Sequence, residues 1–126
     1  MGAVFLKLVC AFFMVYCIFT QGDAASCKTT DIVITQEIVG VVHGDVLQFE
    51  VTINNTCYCM QTMVMVYCGG FHTMDYPDPA VFEMLDTWTC IINHGLPVYW
   101  NTPLTFRYTW MRPSHFPIMG SDVLCP

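Results

Sequence analysis

The chain has 126 residues, a formal net charge of −6 and eight cysteines, with 55% hydrophobic and 11% charged side chains. That length sets one domain, and a total of four Lys and Arg argues against a nucleic-acid or anionic-membrane surface. No internal repeat and no low-complexity linker divides it.

The first 25 residues carry Lys7, an uncharged apolar run over 8–22, and small residues at Asp23-Ala-Ala-Ser26. This is the layout of a secretory signal peptide cut near Ala24 or Ala25, because the run is shorter than the ~20 residues a membrane span needs. The secreted domain is then 26–126, with three basic and nine acidic side chains and the same net charge of −6. Cys10 and Cys17 leave with the leader. Six cysteines remain, Cys27, Cys57, Cys59, Cys68, Cys90 and Cys125, and an even number in a short secreted domain predicts three disulfides.

Residues 31–36, Asp-Ile-Val-Ile-Thr-Gln, form the first expected strand, with Gly40 and Gly44 in the turn region after it. Over 46–54 the alternation is regular, Leu47, Phe49, Val51 and Ile53 against Gln48, Glu50, Thr52 and Asn54, which predicts a half-buried antiparallel strand. Asn54-Asn55-Thr56 is a sequon, so Asn54 is an expected N-glycan acceptor. The run 60–67 is apolar on both sides and is expected in the middle of a sheet covered on both faces, with its methionines filling core gaps.

If 60–67 is extended, the nine steps from Cys59 to Cys68 span roughly 30 Å. Bridged Cα atoms lie within about 7 Å. Cys57 and Cys59 are too close in sequence to bridge each other, so Cys57, Cys59 and Cys68 each take one of Cys27, Cys90 and Cys125. Six connectivities survive. A simple meander of the first three strands would put Cys27 beside Cys57 and Cys59 and leave Cys68 for Cys90 or Cys125.

Gly69-Gly70 ends the third strand, and the prolines at 77 and 79 forbid a central strand there. Asp78-Pro79 before Ala80-Val-Phe-Glu-Met-Leu85 predicts an N-cap and one short helix, with Val81, Phe82 and Leu85 on the core. Residues 88–92 make a brief strand closed by the turn Asn93-His94-Gly95. After a loop over 97–103, alternation returns at 104–110 with Leu104, Phe106, Tyr108 and Trp110 inward. The last segment, 116–125, is broken by Pro117 and Gly120 and is expected at an edge. Six or seven short strands and one short helix predict an all-β antiparallel sandwich.

No catalytic constellation is expected. Cys68 and His72, and Cys90 and His94, have spacings a zinc site would use, but cysteines in an oxidising compartment favour disulfides. Asp75, Asp78, Glu83 and Asp86 lie close enough in sequence for a glycosidase-type carboxylate pair, yet nothing in their spacing fixes the separation that chemistry needs. A small wall hydrolase would work through Asp78 or Glu83. Ser26, Ser114 and Ser121 sit in no nucleophile-elbow pattern. The domain is therefore expected to need no metal and no cofactor and to act by binding, with Phe71, Tyr76, Tyr99, Trp100 and Trp110 as a candidate aromatic contact patch.

The order of motifs, Cys27 with Asp31-Ile-Val-Ile-Thr-Gln36, Phe49-Glu-Val-Thr-Ile-Asn-Asn-Thr-Cys57, Val66-Tyr-Cys-Gly-Gly-Phe71, Cys90-Ile-Ile-Asn-His-Gly-Leu-Pro97, Phe106-Arg-Tyr108 and Cys125, resembles the plant TAPETUM DETERMINANT family of small secreted cysteine-rich proteins. The likeness covers essentially the whole secreted domain, and the tight Cys57-Tyr-Cys59 spacing marks a subgroup. It implies an apoplastic protein ligand for the extracellular domain of a leucine-rich-repeat receptor kinase, acting in cell-fate specification in the anther. The alternative expectation is a carbohydrate-binding module of the cell wall.

Overall fold

A computed structural model describes residues 27–126, so the expected signal peptide at 1–25 lies outside the described residues. Among the described residues seven strands form two antiparallel sheets. One has the order β1-β2-β6, built from Ile32–Val42, Val46–Asn55 and Leu104–Trp110. The other has the order β4-β5-β3-β7, from Phe82–Met84, Thr89–Ile92, Met60–Tyr67 and Ile118–Leu124. The expected all-β architecture is what the chain adopts.

β1 runs well past Gln36. It pairs with β2 up to Val42↔Val46, absorbing Val39 at a bulge between Ile38 and Gly40 and turning back through His43 and Gly44, both at positive φ. Gly44, at φ +89°, is the turn glycine; Gly40 is a strand residue. After β2 the chain does not continue as a meander: it crosses to the opposite sheet, where β3 lies between β5 and β7. β7 is an edge, as its proline and glycine predict.

β3 is central but covered on one face only. Gln61, Val64 and Val66 point into the core, while Met63 is exposed and Met65 half-buried. The pairing with β7 slips between Thr62 and Met65, where Met63 takes φ 50°, so a bulge puts two consecutive residues on the outside. The glycine of the Asn93-His94-Gly95 turn comes so close that a Cβ on Gly95 would lie 2.6 Å from the Met63 sulfur.

The helix expected over 78–85 is absent. It begins as capping predicts: Asp78 Oδ1 accepts the Ala80 amide at 3.0 Å, and Asp78 O accepts the Val81 and Phe82 amides, both at 3.0 Å. One turn is too short to hold itself. The chain instead extends at Phe82 to pair with β5, Phe82↔Ile92, which seats Phe82 against Phe106 at 4.3 Å between centroids and leaves Leu85 exposed.

Between the sheets Phe71, Phe82, Phe106, Tyr108 and Phe116 form one interlocked ring cluster, extended by Phe49, which stacks on Tyr108 at 5.0 Å. Edge-to-face contacts of this kind add to what burial alone supplies. Tyr108 donates its hydroxyl proton to Gln36 Oε1 and accepts the Ser114 amide at 2.8 Å, and burial pushes its pKa up, so the hydroxyl stays protonated as a donor. The free edge of β6 is blunted by residues 73–75: Met74 N donates to Thr109 O (2.9 Å), Asp75 N to Thr109 Oγ1 (2.9 Å) and Thr109 N to Thr73 Oγ1 (3.0 Å).

The crossing from one sheet to the other is held by side chains that the sequence pattern did not flag. Asn55 is fully buried; its Nδ2 donates to Cys59 O (2.8 Å) and Val98 O (3.0 Å), and its Oδ1 accepts the Cys57 amide (3.0 Å). Gln61, also fully buried, donates to Lys28 O at 2.9 Å and accepts from Ser121 Oγ, which also bonds Thr29 Oγ1 at 2.8 Å. Cys27–Cys57 and Cys59–Cys125 lie at this end of β3 and Cys68–Cys90 at the other, one of the six connectivities allowed by reach.

Asn55→Ala strands the Cys57 amide and the Cys59 carbonyl, while Val98 O keeps the Gln61 amide, and is expected to cost about 2–4 kcal/mol, since each orphaned group costs roughly 1–3 kcal/mol. On a domain this size that lowers Tm by about 10–25 °C with all three bridges intact. A loss of a degree or two in differential scanning calorimetry would show that Asn55 is not a tie between the sheets.

Candidate recognition surface

The five aromatic residues picked out for binding do not form one patch: Phe71 and Trp110 line one groove, and Phe71 and Tyr76 line another. Phe71 is 7% exposed and belongs to the core cluster. Tyr76, at 83% exposed, stands on the loop beside Pro77. Tyr99 and Trp100, at 56% and 53%, lie where the 97–103 segment bridges to Asn55, before the start of β6. Trp110 lies at the other end of β6, partly buried, with its ring 5.5 Å from the His72 imidazole.

Trp88 is the aromatic that the sequence reading missed. It is 58% exposed and stacks on Tyr67 at 6.1 Å, the two rings closing over Gly69, where a Cβ would meet Tyr67 Oη at 2.4 Å and Trp88 Cε3 at 2.6 Å. The glycine after the strand was visible as a breaker; its second task, making room for two rings, depends on Trp88 arriving from the β4–β5 hairpin. Asp86 holds that hairpin, its Oδ1 accepting the Trp88 and Thr89 amides at 2.8 Å each.

The acidic residues considered for catalysis each have a local structural role. Asp75 pairs with His43 at 2.9 Å, Asp78 caps its turn, Asp86 caps the hairpin, and Glu83 lies 3.9 Å from His94. The hydrogen bond from His43 lowers the Asp75 pKa, and the Trp88 and Thr89 amides lower that of Asp86. Cys68 and Cys90 are joined to each other, so neither has a thiolate to offer beside His72 or His94. Among the described residues, the two sets of metal-type donors that come together, Cys27 with Cys59 and Cys125, and Cys27 with Asp31 and Cys57, are built on sulfurs already in bridges. Asn54 is half-buried near the end of β2 opposite Val33, with its Oδ1 buried and accepting no hydrogen bond among the described residues.

The family described as "Tapetum determinant 1, C-terminal" matches residues 28–125, from the residue after Cys27 to Cys125. The chain belongs to the Tapetum determinant 1 family. A curated relative from Arabidopsis thaliana, "TPD1 protein homolog 1", is 30% identical over 108 residues, covering 84% of this chain and 59% of the relative. This chain therefore spans less than two thirds of that relative's length. No solved structure matches. In this Tapetum determinant 1 domain the matched region holds both sheets and the Cys59–Cys125 and Cys68–Cys90 bridges, with Cys27 just outside it, and no helix among the described residues is long and apolar enough to cross a membrane.

Because the folded pKa of Asp86 is depressed, its charge stabilises above the unfolded value and that contribution is lost as pH falls through the folded one. The Tm gap between the wild type and Asp86→Asn should be full above about pH 5 and close as pH drops below the ordinary Asp value of about 3.9. A gap independent of pH would show that the carboxylate charge does not hold the hairpin.

Proposed function

We propose that the chain is a secreted protein ligand recognised by the extracellular domain of a leucine-rich-repeat receptor kinase, acting in cell-fate specification during anther development, with no catalytic turnover. The observation that carries this reading is the family match over 28–125, which takes in both sheets. Its surface chemistry supports it: Tyr76, Trp88, Tyr99 and Trp100 are large, exposed and mounted on turns tied by bridges and capping bonds, the residue types that supply most interface energy at little entropic cost. Release into the apoplast follows from the leader expected over 1–25, and Asn54 is the proposed N-glycan acceptor. The adjacent Tyr99 and Trp100 favour the wall-polysaccharide module as second reading, since neighbouring exposed rings suit stacking on sugars.

Refolded 26–126 should bind saturably, at micromolar or tighter affinity, to one or a few members of a panel of leucine-rich-repeat ectodomains in biolayer interferometry. Retention on wall polysaccharide with no ectodomain bound would favour the module and contradict the ligand reading. Enzymatic deglycosylation of the plant-expressed protein should remove one glycan's mass; no mass change would leave Asn54 bare.

A further inference from the structure

We propose that the groove between the end of β3 and the end of β6 is a docking site for an acidic, carboxylate-bearing peptide segment of a protein partner, with Arg112 as its principal contact. This deepens the ligand reading and rests on it for the class of partner. The groove, about 390 Å³, is walled by Tyr67, His72, Trp110, Arg112 and His115 and bordered by Gly69 and Gly70.

Charge is the first argument. From Cys27 onward the chain has nine acidic side chains and three basic ones, yet none of the acids lines this groove. Arg107 is tied to Glu50 at 2.9 Å. Arg112 makes no ion pair or hydrogen bond among the described residues, and two imidazoles add further N–H groups beside it. A guanidinium left unpaired on an acidic protein is a ready bidentate partner for a carboxylate.

The backbone is the second. The Gly69 and Gly70 amides donate to nothing among the described residues, and Gly70 is exposed at φ +79° with open space where a side chain would stand. Glycine there keeps the main chain within reach of an incoming carbonyl.

The rings are the third. Tyr67 has one face on Trp88 and Trp110 has one against His72, so both are fixed as walls and are not free on both faces. That suits apolar side chains flanking an acidic residue better than a pyranose ring, which needs an open platform. The combination of guanidinium, free amides and fixed aromatic walls matches an extended acidic peptide.

The test is an amide NMR titration of the isotope-labelled, disulfide-intact secreted domain with a synthetic peptide of about twelve Glu, Asp and Leu residues, at low and at physiological salt. The Gly69 and Gly70 amides and the Trp110 indole signal should move together and saturate, with affinity falling several-fold in the higher salt. Arg112→Gln should weaken binding about tenfold, as loss of a charged hydrogen bond predicts, while its remaining spectrum matches the wild type. Shifts elsewhere only, or equal binding by Arg112→Gln, would overturn the proposal. So would a uronate oligomer of matched charge that moves the same signals at lower concentration, which would give the groove to an acidic polysaccharide. No receptor enters this titration: peptide binding with an unresponsive ectodomain panel would sink the ligand reading and leave the groove standing, and the converse result would sink the groove alone.

Discussion

One buried amide decides how this chain gets from one sheet to the other. Asn55 ends β2, and its three hydrogen bonds reach Cys57, Cys59 and Val98, so the residue that finishes the first sheet also shapes the turn that enters the second. Such a group is costly to bury unless it is satisfied, and here two of its three bonds go to the backbone of the Cys57-Tyr-Cys59 turn. That arrangement delivers Cys57 to Cys27 and Cys59 to Cys125. The bridges lock what the amide selects.

With the crossing fixed at one end, the aromatic cluster fixes the separation of the sheets, and Cys68–Cys90 ties β3 to its neighbour β5 at the far end of β3. A domain of this size buries a modest core and gains from each constraint on its unfolded state. The consequence for function is mechanical. Loops carrying Tyr76, Trp88, Tyr99 and Trp100 rise from a body that yields little, so their rings can meet a partner without first being ordered.

Much of this was written locally in the chain. Alternation over 46–54 and 104–110 placed β2 and β6 and their inward faces, and the reach of an extended 60–67 segment reduced the bridges to a set that contains the observed one. What could not be read depends on partners distant in sequence. The 78–85 stretch carries a valid cap and a helical apolar spacing, but pairing with β5 and the slot beside Phe106 outweigh a single turn. β3 looked two-sided because methionine is apolar wherever it sits; the bulge at Met63, which turns that side chain outward, has no mark in a one-residue window. Phe71 looked like a loop aromatic and is core, whereas Trp88 looked like a strand residue and is surface, because the breaks at Gly69 and Asp86 re-aim the chain.

The candidate site was the least legible part, for the same reason. Arg112, His72 and Trp110 are spread over forty positions, and only the antiparallel return of β6 beside the exit of β3 brings them together. The most direct measurement of the account is the disulfide map of the oxidised 27–126 body, from digestion and mass spectrometry without reduction. It should yield Cys27 linked to Cys57, Cys59 to Cys125 and Cys68 to Cys90, with no free thiol. Cys68 joined to Cys57 or Cys59, or any of the six recovered as a thiol, would contradict the sheet crossing and the rigid body built on it.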